Sequence, residues 1–300
     1  MCRADLTPTL RGVESGTHSS FDDTQLARRR RATLVAFAVL TALAVLGSIA
    51  WGPMIAGAAS HHFADSRSWL GVPNAANVLV NVPIFWCAAW GWCATRTSPW
   101  TRSLRLPWQW FHLWVMVGSL VAAMYHVAPS DARYLMGHTC SAGAAVMLCI
   151  GLMAERVDAR CGSGTACIAA ALVVAAIGAW SEYSQQLGGP ADVRPLLLLQ
   201  GLPLLLIVAG VLRLPQAQPR RSRWLAIVSL YAGSRLLEWA DAPIFATTGW
   251  VSGHTLMHGC TGLIVAWMAY RASADLKTDA ADASSGAALS QRRTSLNTTG

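Results

Sequence analysis

The residues best suited to chemistry lie in VSGHTLMHG, Val251 to Gly259, where His254 and His258 stand four apart. On a helix that spacing puts both imidazoles on one face, about one turn apart. Helical metal sites use the same spacing. The pair opens an apolar run, Leu256 to Tyr270, that reads as a membrane span. Ionisable groups inside a bilayer are expensive and usually functional. The plainer alternative is two histidines hydrogen-bonded beside a polar cavity between helices. A third ligand would separate the two readings.

The elements that must carry these side chains follow from composition. The chain has 300 residues, 54% hydrophobic and only 13% charged. Soluble domains carry about 25% charged residues, so the class is an all-α polytopic membrane protein. The net charge of +8 does not point to nucleic acid, because the basic residues cluster between apolar runs as topology signals do. Cysteines at 2, 87, 93, 140, 149, 161, 167 and 260 form no CxxC pair. They read as helix-packing thiols.

Residues 1–31 are polar, end in Arg28 to Arg31 and read as a disordered cytoplasmic tail. Residues 32–52 form a first apolar span, read as a retained anchor, with a cleaved signal peptide as the alternative. Seven further spans are expected within residues 61–270: 75–94, 107–128, 134–153, 165–180, 195–212, 224–244 and 250–270. The seventh span overall is interrupted by Arg235, Glu238 and Asp241. Residues 271–300 read as a second disordered cytoplasmic tail. With the N-terminus inside, 19 of the 23 basic residues fall in inside segments. The positive-inside rule then gives eight spans with both termini cytoplasmic.

This topology gathers a third histidine. His254 and His258 lie on the order of 6 to 12 Å below the outer end of the last span, and His126, in AAMYHVAP, on the order of 5 Å deep on the same side. Three histidines and a water are the ligand set of a catalytic zinc site. His112, His18, His61 and His62 fit that layer less well. Asp65, Asn77, Asn81, Ser181, Glu182, Asp192, Arg194, Glu238 and Asp241 crowd the outer layer. It reads as a cavity opening outward, with groups that support the imidazoles.

FADSRSWLGVPNAANVLVNVP, YHVAPSDAR, SEYSQQLGGPADVRPLLLLQ and SRLLEWADAPIFATTGWVSGHTLMH resemble the bacterial branch of the alkaline ceramidase family. That family belongs to a seven-helix membrane superfamily that includes the adiponectin-type receptors. The resemblance runs from about Phe63 to Trp267, leaving the first span as an addition to a seven-helix core. It implies that His126, His254 and His258 ligate Zn2+; of the outer polar layer, Asp65, Asn77, Asn81, Glu182 and Asp241 are the expected supporting residues. Asp65, Asn74 and Asn77 fall where eukaryotic relatives bind calcium, but the acidic set here is thin.

Two departures stand out. The family places an oxyanion-supporting serine four residues before the first histidine and a proton-transfer aspartate eleven residues after it. This chain has Ala122 and Gly137. Losing such groups typically costs roughly 10²- to 10⁴-fold. Ser119 and His138 are the nearby substitutes. The expected function is zinc-dependent hydrolysis of a ceramide-like lipid amide in a bacterial inner membrane, with the site facing outward. The alternative is a non-catalytic, metal-stabilised membrane protein that senses or binds lipid.

Overall fold

In the computed structural model the residues described are 15–55, 61–187, 192–214 and 220–274. The first helix, α1, is Ser15–Trp51. It begins well before the apolar span and takes in all four arginines. The expectation of disorder up to residue 31 therefore gives way over 15–31, while residues 1–14 lie outside the described part. Leu43, Leu46 and Ile49 are exposed, as a lipid-facing helix requires. Its inward side packs on a later helix, α7, Arg194–Arg213, with the buried Phe37 close to Gly210. The far end of α1 is tied down as well: Arg194 Nη1 donates to the Ser48 carbonyl at 2.9 Å, and Val193 N–H to that of Met54 at 2.9 Å.

The second expected span is two helices, α2, Ala75–Leu79, and α3, Asn81–Thr97, with a turn at Val80. Pro83 has no N–H for the Leu79 carbonyl, so the ladder is weakest there. Then come α4, Arg102–Val127, α5, Asp131–Arg156, and α6, Gly164–Gln186, followed by α7. Ser130 caps α5 by accepting from Arg133 N–H, and Ser163 caps α6 from Ala166 N–H.

The seventh expected span also breaks, into α8, Arg220–Trp239, and α9, Asp241–Thr248. Pro243 again removes an N–H, here for the Trp239 carbonyl. Gly249 ends α9 at φ 72°. The last helix, α10, is 253–274. The terminal tail was expected from 271; α10 runs on to 274, and 275–300 lie outside the described residues.

The protein is an all-α polytopic membrane protein, with six helices among the described residues long and apolar enough to cross a membrane. They are 27–51, 75–97 (α2 with α3), α4, α5, α6 and α7. Helices α8 and α10 occupy the other two expected spans but are not among the six. The reason is polar composition: Arg220, Arg221, Arg223, Arg235 and Glu238 in α8, and His254 and His258 in α10. Among the described residues there is no strand, only isolated bridges such as Ile55 with Asp192.

The apolar core sits toward one end, where Trp108, Phe111, Met147, Leu152, Ile207, Trp224, Ile227 and Met268 pack together. Small residues permit the close contacts. A Cβ at Gly91 would enter the His112 ring, and one at Gly143 would enter the Trp114 indole. The other end is built from polar contacts.

Candidate metal centre

His126 lies in the last turn of α4, and His254 and His258 lie one turn apart in α10. One ring nitrogen from each falls within 4.8 Å of the others. His126 Nε2 and His258 Nε2 are 3.2 Å apart. The ring centroids stand 4.9 to 5.2 Å from one another. The sequence expectation of one three-histidine layer is met in position: the chain has a group that could hold a metal ion.

The donor set fits such an ion. His254 Nε2 is buried and finds no hydrogen-bond partner. A buried polar nitrogen left unpaired costs about 1–3 kcal/mol, which a bound ion relieves at a nitrogen that faces it. Nitrogens that share one tetrahedral zinc at about 2.0–2.1 Å stand about 3.3 Å apart. The Nε2 pair of His126 and His258 already has that separation.

A polar frame aims the imidazoles. Asp241 accepts from His254 N–H at 2.7 Å and from Ala64 N–H at 3.0 Å. It thus joins the first turn of α10 to the loop before α2. Thr255 Oγ1 donates to Asn77 Oδ1 at 2.6 Å, and Asn81 Nδ2 donates to the Asn77 carbonyl at 2.7 Å. Asn74, in the left-handed region at φ 49°, donates Nδ2 to the His126 carbonyl at 2.8 Å. The Phe63 ring lies 4.8 Å from His126 and 5.4 Å from His254, an apolar cover over both.

Asp65 is buried and paired with Arg67 at 2.8 Å. The Arg67 side chain beside it holds its carboxyl below the usual carboxylate range. Arg67 also donates to the carbonyls of Gly249 and Trp250, pinning the turn before α10. Asp65 therefore supports the site through the loop rather than by touching an imidazole. Glu182 does not join it. It sits on α6, which contributes no residue to the cavity below the histidines. Depth in the membrane suggested Glu182, but depth says nothing about which side of the bundle a helix occupies.

That cavity, about 260 Å³, runs from the histidines toward the apolar core. Its apolar part is lined by residues such as Phe111, Trp114, Leu148, Leu204, Ile227 and Ile264. Ala122, Gly137, Ser119 and His138 all line it. Ser119 Oγ donates to the Met116 carbonyl at 2.8 Å, so its proton is engaged. Gln200 Nε2 lies 2.8 Å from His138 Nδ1. An amide nitrogen can only donate, so Nδ1 accepts and the imidazole proton sits on Nε2.

Further contacts at the site involve residues with no specific role assigned from sequence. Glu238 lines the cavity with Oε1 3.8 Å from His254 Nδ1, within ion-pair range and longer than a hydrogen bond. Arg235 Nη1 holds the other Glu238 oxygen at 2.6 Å. At the mouth, His61 bridges Tyr125 Oη at 2.9 Å and Asp131 Oδ1 at 2.8 Å, while Gln185 donates to Asp131 Oδ2 at 2.9 Å. With a neutral imidazole the carboxylate takes Nε2–H, so Tyr125 O–H donates to Nδ1. Its position in a loop had set His61 aside, since contact across 64 residues has no local signal. Comparisons with family models, with curated proteins and with solved structures yield no match.

Proposed function

We propose that this protein is an integral membrane hydrolase that cleaves a ceramide-like lipid amide, with zinc held by His126, His254 and His258. The observation that carries the reading is the convergence of three imidazoles at the polar end of an apolar cavity. A lipid amide matches that division, with its polar bond at the histidines and its acyl chain among the apolar side chains. The motif resemblance in FAD, YHVAP and GHTLMH points the same way. In the bacterial inner membrane, with both termini cytoplasmic, the site faces outward.

Zinc, when bound, supplies Lewis-acid polarisation of the carbonyl and makes water acidic enough to attack near neutral pH. The chain's residues have the remaining tasks. Phe63 keeps bulk water from the imidazoles. Arg235 occupies one oxygen of Glu238, leaving Oε1 toward His254 as the carboxylate that can take a proton in place of the family's aspartate. The Tyr125–His61–Asp131 chain fixes the hydroxyl oxygen of Tyr125 as an acceptor at the mouth, where an amide or amine N–H can be held.

A second reading, a metal-stabilised membrane protein that senses or binds lipid without turnover, rests on Ala122 and Gly137. Both line the cavity and neither offers a polar side chain. Turnover of ceramide and simpler acyl amides by purified, metal-loaded protein separates the two. Hydrolysis that chelation abolishes is expected. Zinc-replete protein that binds the lipids and cleaves none would establish the second reading.

A further inference from the structure

At the end of the bundle away from the histidines, α3 stops and α4 begins. There Arg96, Arg102 and Arg105 converge with Leu106 and Gln109 around a cleft of about 270 Å³. We propose that this cleft binds the phosphate of an anionic lipid headgroup. The inference is independent of the metal centre and of any turnover there.

Charge is the first support. Four arginines of the bundle have acidic neighbours: Arg67 with Asp65, Arg194 with Asp192, Arg235 with Glu238 and Arg156 with Glu155. Among the described residues no carboxylate pairs with Arg96, Arg102 or Arg105. Three uncompensated guanidiniums around one cleft repel one another unless an anion joins them. A topology signal needs positive charge in the loop, but it does not need that charge gathered round a cleft.

Shape is the second. Arg105 Nη1 donates to the Arg96 carbonyl at 3.2 Å, which ties one guanidinium across the α3–α4 turn. A planar guanidinium presents paired N–H donors that match two phosphate oxygens. Gln109 adds an uncharged donor at the same wall. Arg102 opens α4, so the positive end of a 26-residue helix faces the same way.

Depth is the third. Arg102 and His126 are 24 residues apart on α4, about 36 Å at helical rise. The hydrocarbon core is about 30 Å thick. With His126 near one interface, the cleft falls at the headgroup level of the other. Trp100, under the Arg223 guanidinium at 5.9 Å, marks the same belt. Basic pockets between helices at that level recruit acidic phospholipids.

The test uses the full chain in nanodiscs of phosphatidylcholine with a minority of phosphatidylglycerol, and measures by mass spectrometry the lipids retained after extraction. Wild type is expected to enrich phosphatidylglycerol several-fold over its share of the disc. The double variant Arg102→Gln and Arg105→Gln is expected to bring retention back close to the disc ratio. The melting temperature serves as the folding control and stays at the wild-type level. Arg96→Gln alone, which leaves the Arg105 tie to the backbone carbonyl intact, is expected to give an intermediate loss. Retention of both lipids in the disc ratio, or unchanged enrichment in the double variant, overturns the proposal. Inorganic phosphate is the second probe. Saturable phosphate binding without any preference for phosphatidylglycerol assigns the cleft to a free anion and overturns the lipid source.

Discussion

His126, His254 and His258 hold their separations before any ion is considered, because contacts at helix ends fix the backbone of His126 and His254, and His258 follows one turn into α10. Purified protein is expected to carry about one zinc per chain and to lose it on His254→Ala or His258→Ala, as read by metal analysis. Zinc-free wild type would remove the basis of the hydrolase reading. Ala122 and Gly137 give the second residue-scale outcome. A Cβ at Gly137 meets nothing within 4 Å, so a side chain can leave the backbone there without a clash at its first atom. Ala122→Ser with Gly137→Asp is expected to raise amide turnover by more than the two single changes combined, since both groups serve one transition state. Brisk wild-type turnover that the pair leaves unaltered would mean that Glu238, Ser119 or His138 already fills those roles.

At the scale of elements, the site depends on one joint, where the loop before α2 meets the turn between α9 and α10. Asp241 serves it with two accepted N–H bonds. Asp241→Ala leaves both donors without that acceptor. The expected cost is about 1–3 kcal/mol, with zinc affinity falling about 10- to 100-fold as α10 loses its anchor. A melting curve and a chelator competition read the two effects. Wild-type zinc retention in that variant would count against the joint.

Asp65 and Arg67 form the second half of that joint. Because the Asp65 carboxyl is held below the usual range, its stabilisation is present above the ordinary carboxylate pKa and is lost as pH falls through the lower folded value. Wild type should therefore lose melting temperature as pH drops below about 4. Asp65→Asn should melt lower at pH 7 and lose less between pH 7 and pH 3. Equal acid sensitivity in the two proteins would assign the transition to other carboxylates.

For the whole molecule, the apolar belt and the polar end describe a bundle that meets lipid around its girdle and carries its chemistry near one rim. Leu172, Leu205, Leu212 and Leu263 face outward, while Asn77, Asn81, His112, His126 and Gln200 face inward. That inversion suits a membrane, where outward polar groups are the costly ones. The distribution of arginines predicts the orientation. A reporter fused after residue 300 should signal from the cytoplasm and one inserted near Ser66 from the outer side. A periplasmic signal from the first would reverse the map and turn the histidines inward.

The helices and their polarity were legible in the chain itself. Bilayer thickness sets span length and the cost of charge sets loop sign, and both are local quantities. The shared depth of His126 and the α10 pair was legible for the same reason, since helical rise converts residue counts into depth. Azimuth was not. Depth suggested Glu182 and position in a loop set aside His61, whereas α6 contributes no residue to the cavity wall and the loop before α2 brings His61 to Tyr125 and Asp131. Glu238 stood in the sequence as one polar residue of an interrupted span, and only the placing of α8 against α10 brought it to 3.8 Å from His254. The breaks at Val80 and Ala240 follow from Pro83 and Pro243. Which residues then meet across the bundle depends on how helices far apart in sequence rotate to bury their small and polar faces, and no local pattern encodes that rotation.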